Sequence, residues 1–388
     1  MKPQLKAKIG LMTVSLIMMS YMAPTAVLAD IAQAFPAADP TLVQMIISMP
    51  SLLSIVVGLV VGRLTRWVYK RHLLLLAVLI MLIGGPLPFF ASNSLGIILF
   101  STALLGLGLG ILGTCVPGLI CDCFEGQERS FLIGIQAAFI SGGSTVFTLL
   151  GGQLGRLGWR YCFLVYYLAV PMLAVAFFTL PKGRLEKPEP RPPGTKRAGW
   201  LTKPLVYFAL VGFLFNVFVM VFSSNIAMLV EGRALGGANE SSIVAMLFTL
   251  VGIPVGCLVH LVIRKFGKLV LPLTAVLGCV GMLLCLAGGQ LWVLWLGAVF
   301  CGAAMQQFVP SGNLFSAEAA SPENRSLSIA TFQSFSNLGV AASPLIMGTL
   351  IPGPDVSMRF LVAAAGFALL SAVAAFARPR EQAGVPPA

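Results

Sequence analysis

The feature that most limits how this chain can fold is its succession of apolar runs, each about as long as a bilayer's hydrocarbon core is thick. Stretches such as Leu73 to Phe90, Leu95 to Ile120 and Val270 to Ala287 contain no charged residue. Inside a bilayer every backbone N–H and C=O needs a partner within the protein, so only helices or closed barrels can span it. Barrel strands alternate apolar and polar residues over about ten positions. These runs are continuous, and the chain is therefore expected to be an all-α membrane protein. Composition agrees: 58% of residues are hydrophobic, 10% are charged and the mean hydropathy is +0.94. A soluble domain carries roughly a quarter charged residues.

The 388 residues accommodate about twelve spans joined by short loops. The first six are expected near Ile9 to Leu28, Thr41 to Val61, Leu73 to Phe90, Leu95 to Ile120, Phe131 to Leu154 and Phe163 to Leu180. The Pro- and Lys/Arg-rich stretch Pro181 to Lys203 cannot bury itself and reads as a linker. Six more spans follow, near Leu205 to Leu229, Ile243 to Ile263, Val270 to Ala287, Leu291 to Pro310, Leu327 to Leu350 and Phe360 to Ala377. The expected organisation is a bundle over 1–180, a linker over 181–203 and a second bundle over 204–388. Lys2, Lys6 and Lys8 before an apolar run ending Val27-Leu28-Ala29 imitate a cleavable signal. The run is long enough to span and has a counterpart near Leu205 to Leu229, so a retained first helix is expected.

Formal net charge is +12, and its distribution argues for orientation rather than nucleic-acid binding. With the amino terminus inside, only Arg156, Arg160, Arg233 and Arg359 of the basic residues fall outside. Excess Lys and Arg stay on the cytoplasmic side, which places both termini and the linker in the cytoplasm of a plasma or inner membrane. The eight cysteines lack zinc-site spacing and read as reduced, mostly apolar-span thiols. His72 and His260 belong to no metal or nucleophile constellation. Gly108-x-Gly110-x-x-Gly113 has the letters of a dinucleotide fingerprint but no preceding strand and no acidic residue about twenty positions on. It reads instead as a close-packing helix face. No cofactor or metal is expected.

One loop carries the organisation. Gly58 to Leu73, GLVVGRLTRWVYKRHL, runs from an apolar segment through Arg63, Arg66, Lys70 and Arg71 into leucines. Gly256 to Leu269, GCLVHLVIRKFGKL, repeats the plan, with Gly256, Arg264, Gly267 and Lys268 standing for Gly58, Arg66, Tyr69 and Lys70. Asp122 to Arg129, DCFEGQER, precedes the fifth span, and Pro322-Glu323-Asn324-Arg325 is its counterpart. Gly158-Trp159-Arg160 precedes the sixth. These motifs resemble the major facilitator superfamily in its bacterial-type, twelve-helix form. Gly62, Leu64, Lys70 and Arg71 match the family's basic loop. Arg66 stands in its aspartate position, Trp67 in its arginine position and Tyr69 in its second glycine position.

The resemblance implies two pseudo-symmetric six-helix bundles that rock about a central site, moving a small organic molecule as a secondary transporter. Efflux is favoured. Uptake by a symporter or uniporter, a membrane-embedded enzyme and a transport-dead sensor are the alternatives. The first and fourth helices of each half would line the cavity, which makes Asn216, Asn225, Gln306 and Gln307 candidates for substrate contact, joined by the matching pair Gln136 and Gln333. Asp30 and Glu231, at the outer ends of the first and seventh helices, are candidates for proton coupling. Gly62, Arg66, Lys70, Arg71, Asp122, Glu128, Arg129, Arg264, Lys268, Glu323 and Arg325 would form the conformational latch, with Arg66 paired to Asp122, Glu128 or Glu323. Thr102 stands where proton-driven exporters carry an arginine, and Phe147 and Thr148 replace their Gly-Pro, which weakens classical drug/proton antiport. Expected partners are the solute and membrane lipid, with the chain a monomer.

Overall fold

A computed structural model describes residues 3–36, 40–91, 94–185, 202–236, 238–321, 324–351 and 356–376. Among these residues there are helices and no strands. In chain order, α1 is built from Pro3–Leu16, a 3-10 stretch Ser20–Val27, and Leu28–Ala34. Helix α2 is Pro40–Leu64, and α3 is Lys70–Gly84 with a short continuation Leu87–Phe90. Helices α4 and α5 are Leu95–Cys123 and Gly126–Gly155. Helix α6 begins as a 3-10 stretch, Trp159–Leu168, and continues as Ala169–Thr179. Then follow α7 (Lys203–Gly232), α8 (Ala238–Leu250 and Gly252–Phe266), α9 (Val270–Ala287), α10 (Leu291–Glu318), α11 (Arg325–Leu350) and α12 (Val356–Phe376).

Ten described helices are long and apolar enough to cross a membrane. Helix α2 contributes a shorter apolar stretch, Met49–Leu64, and the serine-rich α11 is 26 residues long. The span boundaries read from hydropathy stop short of the helix ends. Helix α10 runs on to Glu318 and α4 to Cys123, because a helix continues past the last apolar residue until its final carbonyls find other partners.

The chain forms two compact units. Unit 1 comprises Met1–Cys123, Phe139–Arg197 and Ser321–Ser334, and unit 2 comprises Phe124–Ala138, Ala198–Ala320 and Phe335–Ala388. Within unit 1, α4 packs on α2 and α3, and α6 packs on α1 and α3. Within unit 2 the pattern returns one half later: α10 packs on α8 and α9, and α12 packs on α7 and α9. Helices α5 and α11 each contribute their first turns to one unit and the remainder to the other.

Glycines permit the closest of these contacts. A Cβ at Gly106 or Gly110 of α4 would lie 2.8 Å from Pro50 Cα or Val57 Cβ of α2, and one at Gly108 would strike Met81 of α3. Of the glycines that imitate a nucleotide fingerprint, Gly108 and Gly110 are therefore packing positions, whereas a Cβ at Gly113 would meet nothing within 4 Å. Arg233, just beyond α7, closes the end of α9: its guanidinium donates to the carbonyls of Cys285 (2.9 Å), Leu286 (2.8 Å) and Gly288 (2.7 Å). A helix C-terminus leaves such carbonyls unpaired and carries partial negative charge, so a cation fits there.

Candidate functional site

The basic loop after α2 is built differently from its echo. Tyr69 is extended, at φ −64° and ψ 136°, whereas Gly267 sits at φ 52° and ψ −129°, a conformation suited to glycine. The first loop needs no such position, which is why a tyrosine can occupy it.

Lys70 opens α3 and is nevertheless fully buried. Its stem crosses Gly118 of α4, where a Cβ would come within 3.1 Å of the lysine Cε. Its ammonium meets Asp122 Oδ2 at 2.7 Å, with side-chain exposures of 0% and 6%. The backbone N–H of Arg184 donates to the same carboxylate oxygen.

The first turns of α11 lie against this site within unit 1. Arg66 donates to Asn324 Oδ1 at 2.8 Å, and Arg325 donates to the Cys121 carbonyl at 3.3 Å. Ser334 donates to the Ile55 carbonyl at 2.9 Å. A Cβ at Gly62 would lie 2.9 Å from Leu327 Cα, so α2 and α11 touch backbone to backbone.

Unit 2 repeats this clamp with the first turns of α5. A Cβ at Gly134 or Gly256 would strike the carbonyl of the other, and the rings of Phe131 and His260 meet edge to face at 4.9 Å. Arg129 stands 3.8 Å from Glu318, which is 48% exposed, and donates to the Phe124 carbonyl. Asp122 and Glu318 both end the fourth helix of a half, and Arg129 and Arg325 both open the fifth. The unit 1 pair is buried and short. The unit 2 pair joins different positions, Arg129 being the counterpart of Arg325 rather than of Lys70, and it is long and partly exposed, the type of ion pair that contributes little.

The partner found for Arg66 is a neutral amide, and Asp122 goes to Lys70. The Lys70 ammonium satisfies the Asp122 carboxylate, and the Arg66 guanidinium donates to the Asn324 amide oxygen. Glu128 belongs to the unit 2 segment, and Glu323 lies outside the described residues. Arg71 donates to the Phe177 carbonyl and sits over that residue's ring, closing the end of α6. Arg264 is exposed, and the side chain of Lys268 lies outside the described residues.

The polar candidates do not share one environment. Asn216 is buried and donates to the Gly212 carbonyl one turn back. Asn225 donates to the Val221 carbonyl and accepts from Arg359 of α12 at 3.0 Å. Buried Gln307 pairs with Ser311 on its own helix. Gln136 is buried, whereas Gln306 and Gln333 are half-buried. Gln333 belongs to unit 1 and the other five to unit 2. Asp30 is exposed in the first turn of Leu28–Ala34, where a negative charge favours the helix dipole. The side chain of Glu231 lies outside the described residues.

Sequence reading missed the interruption of α1. Pro24 lies inside the 3-10 stretch and has no N–H to return to the Ser20 carbonyl, so an α-helix cannot complete itself there. The Tyr166 hydroxyl of α6 donates to that carbonyl at 3.0 Å. The Cys162 thiol donates to the Ala23 carbonyl at 3.4 Å. Proline within an otherwise continuous apolar run was the available signal.

The fold and these clamps describe a polytopic helical membrane protein with an internal duplication. The chain belongs to the Major Facilitator Superfamily, whose family model matches residues 9–288 and 265–388. Over 125 residues it is 30% identical to the MFS-type efflux transporter phmH of Phaeosphaeria nodorum, covering 31% of this chain and 22% of that one. Over 122 residues it is 28% identical to myo-inositol transporter 2 of Schizosaccharomyces pombe, covering 31% and 22%. The matched stretch thus spans about a fifth of the length of these relatives. The human organic anion transporter MFSD10 (TETRAN) has a similar structure, with a TM-score of 0.75 at 18% identity over 97% of this chain and 98% of that one. The proton:xylose symporter XylE gives 0.75 at 14% identity over 95% and 94%. At these identities the structural likeness concerns the fold.

Proposed function

We propose that the protein is a secondary carrier that moves a small organic molecule across a membrane by alternating access, with export as its direction. The observation that carries this reading is the paired clamp of α2 on α11 and α8 on α5, polar and glycine contacts at the ends bearing the basic loops. Membership of the superfamily supports transport, and the partial match to efflux transporters supports export. The match to a myo-inositol transporter supports uptake as the second reading. Gln306, half-buried on α10, is preferred over its buried neighbour Gln307 as a contact for the solute, because a fully buried amide offers it no approach.

The carrier sits in a plasma or inner membrane with the basic loops in the cytoplasm, an orientation that the distribution of Lys and Arg supports. In a variant freed of native thiols, Lys265→Cys should resist an impermeant reagent in intact cells and Arg160→Cys should react. The reverse pattern would overturn the orientation. If protons drive the cycle, Asp30→Asn with Glu231→Gln should abolish the response to an imposed pH gradient and spare solute exchange.

The central test begins with a ligand screen by thermal stabilisation, since a ligand that binds only the folded protein raises its stability. Counterflow of each stabilising compound is then measured in liposomes containing the purified protein. Counterflow is expected for at least one compound. Stabilisation without counterflow would exclude transport of those compounds and favour a sensor.

A further inference from the structure

The interruption of α1 is held by identifiable groups, and the chain contains the means to undo it. The Ser20 amide would bond the Leu16 carbonyl in a continuous α-helix. It bonds the Ile17 carbonyl at 3.0 Å instead, and the Met22 amide bonds Met19 in the same tighter pattern. The Ser20 hydroxyl is fully buried with no hydrogen-bond partner. Elsewhere on α1 the hydroxyls of Thr13 and Ser15 bond the carbonyls four residues back, Ile9 and Leu11. The equivalent partner for Ser20 is the Leu16 carbonyl, which is turned against Gly143 of α5, where an added Cβ would strike it.

We infer that α1 has two positions, and that Tyr166 is the positioning residue for one and Ser20 for the other. In the bent position seen here, the Tyr166 hydroxyl satisfies the carbonyl that Pro24 strands. Tyr166 is itself fully buried, seated on Gly85 of α3 in a contact that leaves no room for a Cβ. In the second position the turn at Ile17 to Met19 winds into α-helix, and the Ser20 hydroxyl bonds Leu16. Burying a hydroxyl without a partner is unfavourable, so the bent form holds back a bond that winding would release. Every contact involved lies within unit 1. The inference adds to the transport reading a moving part in the first helix, and its test needs no solute.

The test places non-thiol spin labels, introduced as unnatural amino acids, at the exposed positions Leu5 and Gln33 in lipid nanodiscs. Electron–electron resonance then reports the distance across the interruption. Tyr166→Phe should move the distance distribution away from that of the bent form, and Ser20→Ala should move it the opposite way. Each should change the population ratio by roughly 5- to 10-fold, as one net hydrogen bond does. Thermal unfolding supplies the second readout: Ser20→Ala should match or exceed the wild type, because it deletes an unpartnered group. Distributions that do not move, or that move together, would overturn the inference. So would a marked loss of stability in Ser20→Ala, which would show that its hydroxyl is satisfied in the bent form.

Discussion

Lys70 and Asp122 meet at 2.7 Å with both side chains shut away from solvent, although one opens α3 and the other nearly ends α4. Breaking a buried pair from one side leaves an uncompensated charge, at a cost of about 3–5 kcal/mol. Lys70→Met or Asp122→Asn should therefore lower the thermal unfolding temperature sharply. The double variant Lys70→Met/Asp122→Leu should recover most of the loss, because no buried charge remains. Recovery no better than either single variant would show that the pair does not act as a unit.

Arg66 faces an amide oxygen, so it needs a donor opposite that acceptor rather than a positive charge. Arg66→Gln should keep part of the clamp, while Arg66→Glu should set two acceptors against each other and lose it. Asn324→Asp should tighten the contact, since hydrogen bonds between charged groups are roughly twice as strong. Cross-linking yield between cysteines placed on α2 and α11 would rank the variants. Equal yields for Gln and Glu at position 66 would refute this account.

The glycine contacts give a steric prediction. A Cβ at Gly256 would lie 2.6 Å from the Ala138 amide nitrogen, whereas one at Gly113 or Gly142 would meet nothing within 4 Å. Gly256→Ala should destabilise the protein by about 1–3 kcal/mol, as overpacking typically does. Gly113→Ala and Gly142→Ala should be neutral or slightly stabilising through helix propensity. Chemical or thermal unfolding of the three purified variants decides it, and equal losses would rule out close approach as the cause.

Arg233 closes the end of α9 through three carbonyls. Arg233→Leu should cost about 2 kcal/mol, near the upper range for a cation at a partly buried helix terminus. Arg233→Lys should recover only part, because an ammonium cannot hold the planar fork. Faster hydrogen exchange confined to the end of α9 would confirm the location, and unchanged exchange there would contradict it.

The helical membrane fold was legible because the bilayer imposes one requirement on every span and apolar run length reports it directly. The duplication was legible from Gly256 to Leu269 echoing Gly58 to Leu73. The pairing of charges was not. Arg66 and Lys70 lie four residues apart in one basic loop, and Lys70 takes Asp122 because the groove at Gly118 admits its stem. That is a fact of packing with no trace in spacing. Asn225 illustrates the same limit: a polar residue in a span marks a buried partner, and here the partner is Arg359, which the sequence places 134 positions away.

The mixed ownership of α5 and α11 bears on how the gene could be divided. Gly134 and Ala138, encoded early, find their packing surface on Gly256 and Val259, encoded late, and Leu327 and Ala330 find theirs on Gly62. Two polypeptides separated within residues 186–201 would each carry a helix whose opening turns are complementary to the other fragment. Each would be expected to mature poorly when expressed alone and to be rescued by co-expression, as reciprocal halves of one assembly.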